Sequence, residues 1–280
     1  MHVIHFDFSK RREYMGKINN AIYEIQRLDT IAGRNQWVNE IHPLVKLILT
    51  FFYIMVVVSF HKYHLSGLLG LAIYPVIMFI VSELSFRDSI KRLRIVLPLA
   101  CFVGILNPFF DRQVMLQIGT LQVTAGMVSM LTLMIKGILS ILAAYLLIAT
   151  TSIEKICYAM RLLRIPTVMV TQVLLMYRYV TLLLTEANHM FQSYSLRAPN
   201  QRGIHFKVWG SLLGQLLLRS MDRAGMIYES MCLRGYEGEF YMGKKEPCQR
   251  KDYLYLLIWA VIFIVLRWIP VVTVVGNFFI

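Results

Sequence analysis

The chain has 280 residues, 57% of them hydrophobic and 16% charged, with a mean hydropathy of +0.57 and a formal net charge of +13. Soluble domains carry about 25% charged residues, so this balance excludes an ordinary soluble domain and identifies an integral membrane protein. The positive charge then reports topology and attraction to the anionic cytoplasmic leaflet rather than nucleic acid.

Residues 1–42 form a polar amino-terminal segment. Ile18, Ile22, Ile25 and Leu28 fall at helical spacing, which predicts a short amphipathic helix lying along the membrane. The mixed, charged start gives no sign of a cleavable signal peptide. Hydrophobic spans follow at 43–60, 66–82, 95–110, 124–150 and 253–275, each near the ~20 apolar residues that cross a bilayer. Between the third and fourth, Asp111–Thr124 alternates apolar and polar residues around Gly119, the pattern of a small hairpin.

Basic residues set the orientation. Six lie in the amino-terminal segment, four in the 83–94 loop and fourteen in residues 151–252, whereas the two remaining loops hold only Lys62 and Arg112. Five crossings place every basic-rich segment on one side, as the positive-inside rule requires. The amino terminus and residues 151–252 are therefore expected in the cytoplasm and the carboxy terminus outside. The expected fold is all-α. Residues 43–150 hold transmembrane helices one to four, 151–252 long cytoplasmic amphipathic helices, and 253–280 the last crossing. Two apolar stretches in that cytoplasmic region, 167–186 and 206–218, are read as lying under the bilayer because Arg178, Glu186, Arg219 and Asp222 share their helices. Two extra crossings would leave the parity unchanged. Gly210 and Gly214 give a small-residue face for close helix packing.

Catalytic and coupling chemistry is sparse. The spans contain Lys46, Lys136 and Arg267 but no central carboxylate, Glu83 lying at an edge, so coupling through an intramembrane acid is disfavoured. Lys46 and Arg267 are close enough to span ends to snorkel, which leaves Lys136 as the interior charge. No phosphate-cradling glycine loop, HExxH zinc motif or nucleophile elbow occurs. No cofactor and no metal site is expected, and the chain is read as non-enzymatic. His61 and His64, or His2, His5 and Asp7, are interfacial polar residues more readily than ligands. Cys101, Cys157, Cys232 and Cys248 stand singly, consistent with a reducing cytosolic setting.

The polar region carries a degenerate repeat at an offset of 37 residues. Ala187 matches Ala224, Phe191 pairs with Tyr228, and Ser193 matches Ser230; Ser195-Leu196-Arg197-Ala198 then answers Cys232-Leu233-Arg234-Gly235. Each arginine ends a helix-compatible segment, where a cation meets the negative end of the helix dipole. Gly235 suits a left-handed cap, and Pro199 stops the first segment. Small residues before each arginine let a helix end enter a groove, and an extended guanidinium supplies several donors. Two similar plugs imply two similar sockets in a partner.

The segment Arg219-Ser-Met-Asp-Arg-Ala-Gly-Met-Ile-Tyr-Glu-Ser-Met-Cys-Leu-Arg-Gly-Tyr-Glu-Gly-Glu-Phe-Tyr241 resembles the signature region of the T component of energy-coupling-factor (ECF) transporters. It is closest to the CbiQ/NikQ branch of cobalt and nickel uptake. Leu28-Asp-Thr-Ile-Ala32 and Ile41-His-Pro-Leu-Val-Lys-Leu47 resemble the start of the same family. The family's paired motifs usually read Ala-Arg-Gly; here they are Leu196-Arg197-Ala198 and Leu233-Arg234-Gly235, so the first lacks its glycine. The resemblance implies a multi-pass scaffold in the cell membrane. Residues 151–252 would be its coupling helices, docking two ABC-type ATPase subunits and driving a separate substrate-binding membrane subunit. Cobalt leads nickel as the implied substrate, with a vitamin-type substrate as the alternative. The residues by themselves also leave open a stand-alone carrier or channel lined by Lys136, or a membrane enzyme using His61 and His64.

Overall fold

A computed structural model describes residues 8–34, 36–61, 65–84, 114–118, 121–198, 205–238 and 247–268. In chain order these form α1 (Phe8–Ala32), α2 (Trp37–Glu40), α3 (Pro43–Ser59), α4 (Leu65–Leu71) and α5 (Ile73–Val81). A hairpin of β1 (Val114–Ile118) and β2 (Leu121–Thr124) follows. The chain continues through α6 (Ala125–Thr150), α7 (Ile153–Leu162), α8 (Thr167–Arg197), α9 (Phe206–Leu233) and α10 (Arg250–Trp268). The hairpin is antiparallel, with Ile118 opposite Leu121 and Gln117 opposite Gln122. The span expected at 95–110 lies outside the described residues. Two compact units result, one from Met1–Thr30 with Met160–Lys244, the other from Ile31–Ala159 with Lys245–Ile280.

The second unit is built on four-residue periodicity. Val45, Leu49, Tyr53 and Val57 of α3 are each at most 2% exposed, and Tyr255, Trp259 and Phe263 repeat that spacing on α10. Leu139, Ala143 and Leu146 of α6 close the same core. At its centre the Tyr53 and Tyr74 rings lie 4.8 Å apart, Tyr74 meets Trp259 edge-on at 4.8 Å, and Phe263 sits 5.1 Å from Tyr53. Such offset and edge contacts satisfy the ring quadrupoles. The outward faces are equally apolar: Phe51, Met55 and Val58 on α3 and Leu254, Leu257 and Val261 on α10 are exposed. Helices apolar all round belong in a large core or in lipid. Helices α6 and α8 have the length and composition to cross a membrane, while α3 and the broken stretch Gly67–Val81, made of α4 and α5, are shorter and apolar.

The expected spans 43–60 and 124–150 coincide with α3 and α6, and the described part of 253–275 belongs to α10. The 66–82 span is not one continuous helix. Pro75 has no N–H to offer the carbonyl four residues back and its ring crowds that carbonyl, so the helix breaks between Leu71 and Ile73. The orphaned Leu71 carbonyl accepts instead from the Tyr53 hydroxyl at 2.9 Å.

The cations of the apolar helices are used at helix ends. Lys46 is 6% exposed and does not snorkel. Its Nζ donates to the Thr150 carbonyl that ends α6 at 2.9 Å and to the Asn39 carbonyl at 3.3 Å. Lys136 donates to the Val58 carbonyl at 3.0 Å and to that of Phe60, and Arg267 to the Ser59 carbonyl at 3.0 Å. The Arg267 guanidinium lies 4.2 Å over the Phe60 ring. Each cation thus meets the negative end of a helix dipole. A carboxylate serves the opposite, amino-terminal ends. The Asp252 carboxylate accepts from the Gln249 N–H at the start of α10 and from the His42 N–H at the start of α3. Asn39 Nδ2 donates to the Ile31, Ala32 and Arg34 carbonyls that end α1.

Candidate functional site

Helices α8 and α9 belong to the first unit and carry both Leu-Arg segments. Along them Phe191 meets Trp209 at 6.1 Å, Glu186 pairs with Arg219, and Tyr179 and Leu182 share a groove with Arg223, Met226 and Ile227. Partners fall on one helix as they rise on the other, so the two run antiparallel. Their carboxy-terminal ends, Arg197 and Arg234, consequently sit at opposite ends of the pair. A helix of 28 residues is roughly 40 Å long at 1.5 Å per residue. Adjacent in a sequence repeat, the two motifs are far apart in the fold.

The packing between these helices is light. Val208, Leu212, Leu216, Ser220, Arg223, Ile227 and Met231 are the half-buried positions of α9, a stripe at spacings of three and four. No residue of α9 is fully buried. Beside and behind that stripe Phe206, Leu213, Leu217, Leu218 and Met221 are exposed. Gly210 and Gly214 have open space where a Cβ would stand, so the close helix approach expected from them is not made among the described residues.

The two helix ends differ as their third residues dictate. After Arg234, Gly235 takes φ +82, its N–H donates to the Cys232 carbonyl at 3.0 Å, and the Tyr236 N–H donates to the Met231 carbonyl at 3.0 Å. These two bonds and the left-handed glycine make a full Schellman cap. After Arg197, Ala198 takes φ −123 and its N–H donates to the Tyr194 carbonyl at 3.0 Å. Among the described residues, the end lacking glycine closes on that single bond. Pro199 lies outside the described residues.

Both ends point their chemistry outward. Leu196 is 73% and Leu233 90% exposed. Arg197 and Arg234 are exposed, with no ion pair or side-chain hydrogen bond to another described residue. The preceding hydroxyls fold back on their own helices, Ser193 to the His189 carbonyl and Ser230 to that of Ile227. The Tyr228 phenol, hydrogen-bonded with Cys232, is held above its ordinary pKa. An exposed leucine beside an arginine with no acid partner among the described residues, on a helix end smoothed by small residues, is a donor-rich plug that the described residues leave open.

The remaining sequence candidates do not assemble. His64, His2, His5 and Asp7 lie outside the described residues, and among the described residues no three His, Cys, Asp or Glu side chains gather at metal-binding distance. Lys136 is engaged by helix carbonyls rather than pointed into a path. Sequence reasoning did not single out His42, Asn39 or Asp252. Their signals were weak but present: His42 precedes Pro43, the proline-at-first-turn arrangement, and Asp252 stands where acids favour a helix start.

A protein of Methanocaldococcus jannaschii, described only as uncharacterized protein MJ1571, is 27% identical over 267 residues, covering 91% of this chain and 89% of that protein. The family model described as CbiQ, cobalt transport protein, matches residues 34–245. That stretch includes α3, both Leu-Arg helix ends and the hairpin. The chain belongs to the CbiQ family of cobalt transport proteins, the membrane-integral T components of transporter complexes that work with ATPase partners.

Proposed function

We propose that this chain is the transmembrane scaffold of an ECF-type transporter. It couples ATP hydrolysis by two ABC-type ATPase subunits to uptake of a transition-metal ion, cobalt ahead of nickel, through a separate substrate-binding membrane subunit. The observation that carries the reading is the pair of exposed Leu-Arg helix ends at opposite ends of an antiparallel helix pair. Leu196-Arg197-Ala198 engages one ATPase and Leu233-Arg234-Gly235 the other. Each leucine fills an apolar notch, and each guanidinium bonds carboxylates or carbonyls, worth about 1.5–3 kcal/mol per charge-assisted bond.

The light α8–α9 packing supports the mechanism. When ATP binding draws the two ATPases together, the helix ends move with them. A pair with no fully buried residue on α9 pivots at its crossing without unpacking a core. The pivot is delivered to the substrate-binding subunit through the exposed apolar face of α9. The chain carries no phosphate-cradling loop, so the nucleotide belongs to the partners. Five crossings with residues 1–42 and 151–252 in the cytoplasm complete the topology.

A stand-alone carrier lined by Lys136 is less well supported. That ammonium group donates to the carbonyls ending α3, with the Arg267 guanidinium on the intervening residue, and two cations side by side repel a divalent metal. The test is co-purification of the ATPase subunits with the full chain in detergent. Arg197→Glu combined with Arg234→Glu is expected to release them while the chain stays in the membrane fraction. Undiminished ATPase recovery with the double variant removes the proposal.

A further inference from the structure

The chain passes between its two units at three places: after Thr30, after Ala159 and after Lys244. The first falls inside α1 and the second inside α7. Within the second unit, the root of each connection is hydrogen-bonded to one short stretch, Asn39–Lys46, which ends α2 and begins α3. At the first root, Asn39 Nδ2 donates to the Arg34 carbonyl at 2.8 Å and to those of Ile31 and Ala32 at 3.2 and 3.4 Å. At the second, Lys46 Nζ donates at 2.9 Å to the Thr150 carbonyl, where α6 gives way to α7, and the His42 ring lies 6.1 Å from that of Tyr158. At the third, the Asp252 carboxylate accepts from the His42 N–H at 3.2 Å and from the Gln249 N–H at 2.9 Å.

These ties are themselves joined. Lys46 Nζ also donates to the Asn39 carbonyl at 3.3 Å, and the Val45 and Lys46 N–H groups both donate to the His42 carbonyl. Asn39, His42, Lys46 and Asp252 are all more than nine-tenths buried, so no water replaces a bond that opens. One root cannot shift alone without stranding a buried donor or acceptor. Capping of helix ends does not by itself explain the convergence. Lys136 and Arg267 cap the carbonyls at the other end of α3, and the chain makes no crossing there. Two further acceptors at the joint, Asn39 Oδ1 and Thr151 Oγ1, are buried without a partner among the described residues, which leaves bonding capacity for a second arrangement.

We propose that Asn39–Lys46, together with Asp252, is the joint through which all three connections move as one, and that Asn39, Lys46 and Asp252 are positioning residues for coupling. The positioning role rests on the coupling function proposed above, whereas the joint does not.

Two measurements test it. In the full chain alone in detergent, hydrogen exchange is read by mass spectrometry over residues 31–40, 150–158 and 247–255. Lys46→Met is expected to raise exchange in all three stretches by about tenfold, the scale on which one lost hydrogen bond to a charged group shifts a local opening equilibrium. Asp252→Asn keeps the side chain's shape, touches the third root directly, and does the same. In proteoliposomes holding the chain with its ATPases and substrate-binding subunit, both variants retain the ATPases and hydrolyse ATP but take up about tenfold less cobalt per ATP hydrolysed. Lys136→Met strips a cation from the other end of α3; it lowers thermal stability and leaves that ratio at the native value. Asp252→Asn carries the test if Lys46→Met does not assemble. Exchange raised at one root only overturns the joint. An unchanged uptake ratio in both joint variants, or an equal fall with Lys136→Met, overturns the positioning role, the latter because any loss of stability would then uncouple transport. A native assembly that takes up no cobalt refutes the coupling function itself, and exchange then decides the joint.

Discussion

Gly235→Ala isolates the difference between the two helix ends. At φ +82 an L-residue brings its Cβ against the following carbonyl, which costs about 1–2 kcal/mol. Nothing lies within 4 Å of the Cβ position, so crowding by neighbours adds nothing and the whole cost is backbone strain. The chain relieves it by opening the cap, giving up the Gly235–Cys232 and Tyr236–Met231 hydrogen bonds and letting Arg234 swing. If docking needs the capped geometry, ATPase affinity through this end falls by roughly 5- to 30-fold, the same 1–2 kcal/mol expressed as a binding constant. Gly235→Asn, which tolerates the left-handed region better, recovers part of the loss. At the other end, Ala198→Gly meets a φ of −123 that alanine already accommodates, and the change stays within about 0.5 kcal/mol. The assay is titration of detergent-solubilised chain with ATPase subunits, alongside thermal unfolding of the chain alone. Unchanged affinity with Gly235→Ala, or a comparable loss with Ala198→Gly, refutes the idea that the capped end is the binding geometry.

Tyr53→Phe keeps the core volume but leaves the Leu71 carbonyl without its partner, and is expected to lower unfolding stability by about 1–3 kcal/mol. Pro75→Ala restores an N–H four residues beyond Leu71, so the same Tyr53→Phe change in that background should cost clearly less; an identical cost in both backgrounds would show that the proline does not create the need for the hydroxyl. Lys46→Met strips the cation from the Thr150 and Asn39 carbonyls, and a loss of about 1–3 kcal/mol in denaturant midpoint is expected from the carbonyls left buried and unpaired. Burial, with the Glu154 carboxylate beside it, pushes the Cys157 thiol pKa up. Because the thiolate is the reactive form, maleimide labelling of Cys157 should be slow at neutral pH and accelerate only above the ordinary thiol range. The exposed Cys232 should label first, and fast labelling of Cys157 at pH 7 would contradict its placement.

The features legible in the sequence share one property: each is local. Four-residue spacing of Val45, Leu49, Tyr53 and Val57 announces a helix with one buried face whatever it packs against. The two Leu-Arg ends were visible as a repeat, and the glycine missing from the first showed that their caps would differ, as the Gly235 and Ala198 geometries do. Even the break at Pro75 was available from the covalent structure of proline, although the apolar run around it reads as one span.

What the sequence left undecided was every partnership made over distance. Lys46 had been read as a snorkelling side chain, but its carbonyl partner at Thr150 is 104 residues away, and the Asp252 carboxylate reaches the His42 N–H across 210. Two arginines 37 residues apart are near neighbours in the repeat; only the antiparallel packing of α8 on α9, pinned by Phe191 on Trp209 and Glu186 on Arg219, sends them to opposite ends. Hydropathy and helix spacing are properties of neighbouring residues, so the sequence by itself determined the membrane class, the helices and the two Leu-Arg helix ends. The separation of those ends, and the helix dipole that each cation meets, follow from how separate helices pack, which only the tertiary structure decided.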